Sequence, residues 1–405
     1  YSCVNGMSQN MPKKQNLATF NEIKSKDGKI IDQTITTFFK APKSFTGEDM
    51  VELSVHGGTA VIKRILAQLS DYKNMRLATP GEFTRRAFEN NKLDLTQVEA
   101  IADIINAETE MQRKQAVGHL SGYFFKDIKN IFENLKKILA NIEALIDFTE
   151  EDLPDNLILN IKEQIENNIK EIEKIISGAS VGISIREGFL VAILGKPNSG
   201  KSSLINNISG RDISIVTNQP GTTRDLIESF IDVCGYPVKF VDTAGIRESS
   251  NLVEKIGVEK AILASKEADI NIVLIESPND IVDFNKTKNK IIVRSKQDIN
   301  GGVFEGRHYY NISSKNNYGI SDLLEVLANK LAEKSPNEEI SISRERHKMC
   351  LLQTVEHLKM SKREKSIDIF AEDIRQSVKS MSLLFGNVDI EDILDIIFSD
   401  FCIGK

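Results

Sequence analysis

Gly195-Lys-Pro-Asn-Ser-Gly-Lys-Ser-Ser203 is the stretch that decides the fold of this chain. It fits the pattern GxxxxGK[ST], with the apolar run Phe189 to Leu194 before it and a predicted helix, Ser202 to Ile208, after it. Strand, glycine loop and helix in that order form a cradle for phosphate. Glycines at 195 and 200 let several amide N–H groups converge on one anion, at the positive end of the following helix. Lys201 would reach the β and γ phosphates of a nucleotide, and the Ser202 hydroxyl would complete a magnesium shell. A plain Gly/Ser turn is the bland alternative, and three further elements downstream count against it.

The second element is Gly221-Thr222-Thr223-Arg224-Asp225, in a polar loop that begins at Thr217. A threonine there can place its hydroxyl on magnesium and its N–H on the γ-phosphate, so that the loop orders only with triphosphate; Thr223 is assigned that role. The third, Asp242-Thr243-Ala244-Gly245, ends a predicted strand, Val238 to Val241. Its aspartate can hold magnesium through water, and Gly245 can turn its N–H toward the γ-phosphate. Ile246 follows, where many signalling GTPases carry a water-orienting glutamine, and an isoleucine cannot polarise water. Glu248, Glu254 and Glu259 are the local candidates for a base, or equally a solvated helix face.

The fourth element is Ser295-Lys296-Gln297-Asp298, after a predicted strand Ile291 to Arg294. Asp298 can accept two hydrogen bonds from the N1 and N2 edge of guanine, which adenine cannot supply. The usual pattern begins with asparagine, so Ser295 is a departure, and selectivity is expected to rest on Asp298. Ser313-Ser314-Lys315, after Tyr309 to Ile312, resembles the last guanine-contacting loop. The nucleotide contacts read from these stretches are Asn198, Ser199, Gly200, Lys201, Ser202 and Ser203; Thr217, Asn218, Gln219, Pro220, Gly221, Thr222 and Thr223; Asp242, Thr243, Ala244 and Gly245; Ser295, Lys296 and Asp298; and Ser313, Ser314 and Lys315.

A length of 405 residues is too great for one compact core, so several domains are expected. Charged residues make up 27% of the chain and the net charge is -6, which leaves any nucleic-acid contact local or shared with a partner. No apolar run approaches the ~18 residues needed to cross a bilayer, and no signal peptide is visible, so a cytoplasmic protein without membrane contact is expected. Cys3, Cys234, Cys350 and Cys402 form no CxxC pair, which argues against a zinc site or disulfide framework. Tyr1 is not an initiator methionine, and the expectation is that the true start is missing.

Before residue 92 the pattern is mixed α/β. Ile30 to Lys40 and Met50 to Val55 read as strands with a loop, Ala41 to Asp49, between them; Val61, Ile65 and Leu69 then step by four as in a helix. The charged stretch Thr79 to Leu95 reads on composition as a solvated loop leading into a helix from Thr96. From there to 178 the pattern is helical. One seam runs Phe124, Ile128, Ile131, Leu135, Ile138, Ile142 and Leu145, and another Ile161, Ile165, Ile169, Ile172 and Ile176, closed by Gly178. Both are bundle core with no chemistry assigned. Strands and helices alternate over 188–335 as in a mostly parallel sheet, and helices return afterwards. The expected domains are 1–92, a helical domain split between 93–187 and 336–405, and a Ras-like phosphate-loop domain, 188–335, inserted into it.

Taken whole, the chain resembles the tRNA modification GTPase family called MnmE or TrmE. The resemblance runs from about residue 12 to the end. It rests on Ser44-Phe45-Thr46-Gly47-Glu48-Asp49, His56-Gly57-Gly58, Pro80-Gly81-Glu82-Phe83, Asn91-Lys92-Leu93-Asp94-Leu95, the nucleotide motifs and the terminal Cys402-Ile403-Gly404-Lys405. These residues also set aside the solvated-loop reading of 79–95. The resemblance implies an N-terminal domain that dimerises and binds a tetrahydrofolate one-carbon derivative, a discontinuous helical domain, and an inserted GTPase. With the FAD-carrying flavoprotein MnmG, such proteins install an aminomethyl-type (carboxymethylaminomethyl) group at C5 of the wobble uridine, position 34, of certain tRNAs. By position, Glu52, Lys92 and Lys405 match folate contacts, Cys402 matches a cysteine of the terminal motif, and Glu254 matches the water-activating glutamate. Asn198 matches the side-chain ligand of a potassium ion whose shell Thr217, Gln219 and Thr222 complete, a cation doing what an arginine finger does elsewhere. The family's glycine-rich first strand is not legible in Tyr1 to Met11. Two other readings share the nucleotide motifs: a ribosome-assembly GTPase switch, and an incomplete homologue acting as a non-catalytic scaffold.

Overall fold

A computed structural model describes residues 4, 6–8, 14–73, 75–123, 125–147, 156–210, 231–242, 265–277, 279–280, 284, 287–299, 309–334, 342–363 and 366–386. The chain divides into two compact units, Tyr1–Ala102 with Ser382–Lys405, and Asp103–Met381.

In the first unit, β1 (Thr19–Lys24), β2 (Ile30–Phe39) and β3 (Met50–Ser54) form an antiparallel sheet in sequence order. The second and third strands are the two read from the sequence. The first was missed, since its TFNEIK buries only alternate residues at its end and carries no apolar run. Ser8 bridges Ile23, and Met7, fully buried beside it, joins a core of Ile23 and Ile65. Ile65 lies on α1 (Thr59–Ser70), the helix that the Val61, Ile65, Leu69 spacing predicts.

Over 79–95 the solvated-loop reading is corrected. The residues from Glu82 to Glu89 form a helix, α2, and α3 (Leu95–Asn106) follows. The cause is that the charges are paired rather than solvated: Glu82 accepts from Arg76, Arg86 and the Thr79 N–H, while Ala87 and Thr84 on the opposite face are fully buried. The Arg76 guanidinium above all, then Arg86 and the Thr79 N–H, hold the Glu82 carboxyl down at about 2.

The second unit opens on α4 (Glu110–Leu120), whose first turn is closed by a reciprocal cap between Thr109 and Gln112. α5 (Lys126–Asp147) and α6 (Asn156–Ser177) carry the two predicted seams: Ile128, Leu135, Ile138 and Ile142 are 0% exposed, as are Ile165 and Ile172. Phe124 of the first seam lies outside the described residues. After α6 the chain turns at Gly178 into a further short helix, α7 (Ala179–Glu187).

A six-stranded sheet follows, in the order β5-β6-β4-β7-β8-β9. Its strands are β4 (Phe189–Gly195), β5 (Ile231–Val233), β6 (Tyr236–Asp242), β7 (Ile270–Ile275), β8 (Lys290–Arg294) and β9 (Tyr310–Asn311). All neighbours are parallel except β5 and β6, a hairpin whose two turn residues, Cys234 and Gly235, both have positive φ. β4 is apolar throughout, and β7 is apolar but for the buried Asn271, because helices and loops cover both faces. Phe189, Val191 and Ile193 point to one face, where Leu204 and Ile208 of α8 (Lys201–Ser209) and Leu323, Leu327 and Leu331 of α9 (Ile320–Lys334) pack. Ala192 and Leu194 point to the other, with Val273 and Ile275.

α10 (Glu345–Ser361) and α11 (Ile367–Phe385) bring the chain back to the bundle. α10 packs on α6, with Lys359 bound to Glu173 and Lys362 to Glu166, and Arg375 reaches Glu143 on α5. Helices on either side of the sheet in sequence therefore pack together in space. No described helix is long and apolar enough to cross a membrane.

Candidate nucleotide-binding site

The chain leaves β4 for β6 on one side and returns to β7 on the other, so a crevice opens at the carboxyl ends of these strands where the winding reverses. Three of the four sequence motifs fall at the carboxyl end of a strand, and the second, Gly221 to Asp225, lies outside the described residues. The phosphate loop follows β4, Asp242 ends β6, and Ser295 follows β8.

The loop itself has the form that the motif predicts. A Cβ on Gly195 would stand 2.6 Å from Ser199 Oγ and 2.8 Å from Leu274 O, so no side chain fits there. Gly200 is required for a different reason: its surroundings are open, but its φ of 96° is left-handed. Asn198 is also left-handed, with φ 62°, a conformation asparagine tolerates, and its side chain is exposed on the loop. Lys201 is 7% exposed, and its Nζ donates to Gly195 O at 2.9 Å and Lys196 O at 3.0 Å, which holds the ammonium inside the loop. Ser202 and Ser203 are exposed on the first turn of α8. Ser199 Oγ is buried and has no hydrogen-bond partner among the described residues. This is a glycine loop at a helix N-terminus with a cation held inside it, which suits a phosphate group.

Sequence reasoning missed what anchors this loop. Lys196 Nζ binds Asp280 Oδ1 at 2.8 Å, and Asp280 Oδ2 accepts from the N–H groups of Glu276 and Ser277. The ammonium of Lys196, then those N–H groups, hold the Asp280 carboxyl below its ordinary range. Nothing in the spacing of 196 and 280 signals the pair.

At the other end of the crevice, Ser295 is 4% exposed and its N–H donates to Ile275 O at 3.0 Å, but its Oγ is buried without a hydrogen-bond partner among the described residues. Lys296 is left-handed and binds Glu276 Oε1 at 2.7 Å. Asp298 is exposed, and Ser313 Oγ donates to its Oδ1 at 2.8 Å. The structure therefore brings the fourth motif and Ser313 together. A cavity of about 620 Å³ beside them is lined by Gln297, Asp298, Ser313 and Asn316.

Thr217, Asn218, Gln219, Pro220, Gly221, Thr222, Thr223, Thr243, Ala244, Gly245 and Glu254 lie outside the described residues, as do Cys402 and Lys405 and the side chain of Asp242. Ser314 and Lys315 lie on the described turn after β9. Among the described residues, no group of three or more His, Cys, Asp or Glu could hold a metal ion. Neither Cys234 nor Cys350 is in a disulfide.

In the first unit, Lys92 Nζ donates to Pro42 O at 3.0 Å, and Asn90 Nδ2 to Thr46 O at 2.9 Å. The loop between β2 and β3 is thereby folded onto residues 90–92. Glu52 is exposed on β3, opposite Thr37 of β2.

Comparison with known proteins decides among the readings. The family model described as the GTP-binding protein TrmE N-terminus matches residues 2–92, and that described as the MnmE helical domain matches residues 95–402. The tRNA modification GTPase MnmE of Roseobacter denitrificans is 40% identical over 388 residues, 95% of this chain and 89% of that protein. The chain belongs to the MnmE family of tRNA modification GTPases. MnmE of Pelagibacter ubique is 42% identical over 96% of this chain and 91% of its own length, and MnmE of Aquifex aeolicus 40% identical over 97% and 91%. Among solved structures, the G domain of the T. maritima FeoB iron transporter is 26% identical over 36% of this chain and 98% of that one, at a TM-score of 0.27. As a member of the MnmE family the protein is a GTP hydrolase that acts in tRNA modification.

Proposed function

We propose that this MnmE-family member is a potassium-stimulated GTPase that works with an MnmG flavoprotein on the wobble uridine of certain tRNAs, installing an aminomethyl-type group at C5 from a tetrahydrofolate-borne carbon. The GTPase domain spans 188–335 and is inserted in a helical domain, 93–187 with 336–405; 1–92 binds the folate and dimerises. The protein works in the cytoplasm as a homodimer whose GTPase domains pair when GTP is bound.

The observation that carries the reading is the glycine loop at the end of β4, with Lys201 held inside it and Asn198 exposed on it, at the same sheet edge as Asp298. Backbone N–H groups of residues 198–203 would bind the β-phosphate, and Lys201 would exchange loop carbonyls for phosphate oxygens. Asp298, held by Ser313, would accept from the guanine edge. Ser202 with Thr223 would hold magnesium, and Asn198 with Thr217, Gln219 and Thr222 potassium; these cations would supply positive charge where negative charge develops. Glu254 would orient the attacking water and take its proton, the task Ile246 cannot perform. Glu52, Lys92 and Lys405 would hold the folate, and Cys402 would serve the modification chemistry.

GTP turnover measured in potassium and in sodium, for the wild type and Glu254→Ala, tests this. Turnover should be at least about tenfold faster in potassium and fall about a hundredfold or more in the variant. Equal rates in both salts with no loss in Glu254→Ala would remove the proposed mechanism.

A further inference from the structure

Asn207 stands on α8 less than two turns beyond Lys201, and no nucleotide motif contains it. Its Nδ2 donates to Ser314 O at 2.7 Å and to Asn317 Oδ1. Among the described residues its own Oδ1 is buried without a partner, and the amide's hydrogen bonds go to the turn after β9. That turn is closed by Ser313 N–H donating to Tyr318 O at 3.0 Å and Tyr318 N–H to Ser313 O at 3.1 Å. Within it, Asn316 N–H donates to Ser313 Oγ at 3.3 Å, and the same Oγ donates to Asp298 Oδ1. Two sets of hydrogen bonds, connected through the backbone of the 313–318 turn, thus join the helix that begins in the phosphate loop to the carboxylate at the guanine end of the crevice.

We propose that Asn207 is a positioning residue for base selection, fixing the Asp298 carboxylate through the 313–318 turn from the phosphate-loop helix. The proposal rests on the nucleotide site described above. A carboxylate can accept from the N1–H and the 2-amino group of guanine together only when its plane is set, and Ser313 sets it from one side. Ser313 is itself set by the turn, and α8 holds the turn through Asn207 alone among the described side chains whose hydrogen bonds to Ser314 and Asn317 are seen. Without that hold Asp298 still offers an acceptor to N1–H, but loses the second, geometrically demanding bond to the 2-amino group. The residue therefore acts on discrimination between guanine and hypoxanthine, which lacks that amino group, more than on phosphate binding.

The test is displacement of a fluorescent GDP from the full chain by GDP and by IDP, for the wild type, Asn207→Asp and Asn207→Ala. Asn207→Asp keeps the shape and removes both donors; Asn207→Ala removes the group without adding charge. The preference for GDP over IDP should fall by about tenfold in both variants, while affinity for IDP changes by no more than about twofold. A preference equal to that of the wild type in both variants, including the case where GDP and IDP weaken together, would overturn the proposal. A wild type that binds GDP and IDP equally would instead overturn the assignment of Asp298 to guanine, and the role of Asn207 with it.

Discussion

At the scale of single residues, the charged groups of this protein are held by specific partners. Glu82 is the plainest case. Its side chain is 12% exposed and receives Arg76, Arg86 and the Thr79 N–H. Its folded-state pKa of about 2 lies below the ~4.3 of an unfolded glutamate, so its contribution to stability is complete above the latter and disappears as pH falls from there to about 2. Replacing the charged acceptor by a neutral one, Glu82→Gln, should lower the protection of α2 amides against hydrogen exchange by about 1–2 kcal/mol at pH 7. The difference between the two proteins should close as pH approaches 2; a gap that persists there would mean that shape rather than charge holds the helix. This glutamate lies in a stretch that composition alone assigns to a solvated loop, because a count of charges says nothing of whether they meet.

At the scale of elements, periodicity carried most of the information. Alternation of apolar residues by three and four located α5 and α6, because a helix in a bundle must bury one stripe and the stripe is written in the sequence. Leu135, in the middle of that stripe, is 0% exposed. Leu135→Ala should therefore cost about 2–5 kcal/mol, read as a shift in the denaturant midpoint of the helical signal with its slope unchanged. A cost below about 1 kcal/mol would show that the site collapses around the cavity. Short elements were less legible. β5 has three residues and β9 two, too few for a pattern, and both exist because a neighbouring strand offers hydrogen-bonding groups. The same holds for the turn after β9, whose local sequence is an ordinary polar loop and whose position is set by Asn207 and Asp298 from elsewhere in the chain.

At the scale of the whole second unit, one carboxylate ties the sheet to the helices on either side of it. Asp269, just before β7, accepts from the Leu190 N–H at 3.0 Å, from Lys334 at 3.1 Å and from Ser184. These donors lie where the chain enters the sheet, where it leaves by α9, and on α7. A second tie joins the turn of the β5–β6 hairpin to α4, through Met111 N–H and Gly235 O at 3.1 Å. Asp269→Ala leaves three donors without this acceptor and should destabilise the unit by about 1–3 kcal/mol, seen as an earlier thermal transition and weaker exchange protection at the starts of β4 and β7. Unchanged protection there would show that apolar packing alone fixes the joint.

The sequence by itself determined the phosphate loop, the order of the nucleotide motifs, the bundle seams and the family. Each is local: a glycine required by a backbone conformation or a close approach, a stripe required by burial, a motif confined to a few consecutive residues. Only the tertiary structure decided what holds those parts in register. Lys196 with Asp280, Ser313 with Asp298, and Asn207 with the turn that carries Ser313 are pairs from distant parts of the chain, joined by hydrogen bonds that need two particular atoms within about 3 Å. A polar residue's partner leaves no periodic trace in the sequence, because one hydrogen bond constrains one position, whereas burial constrains a whole face.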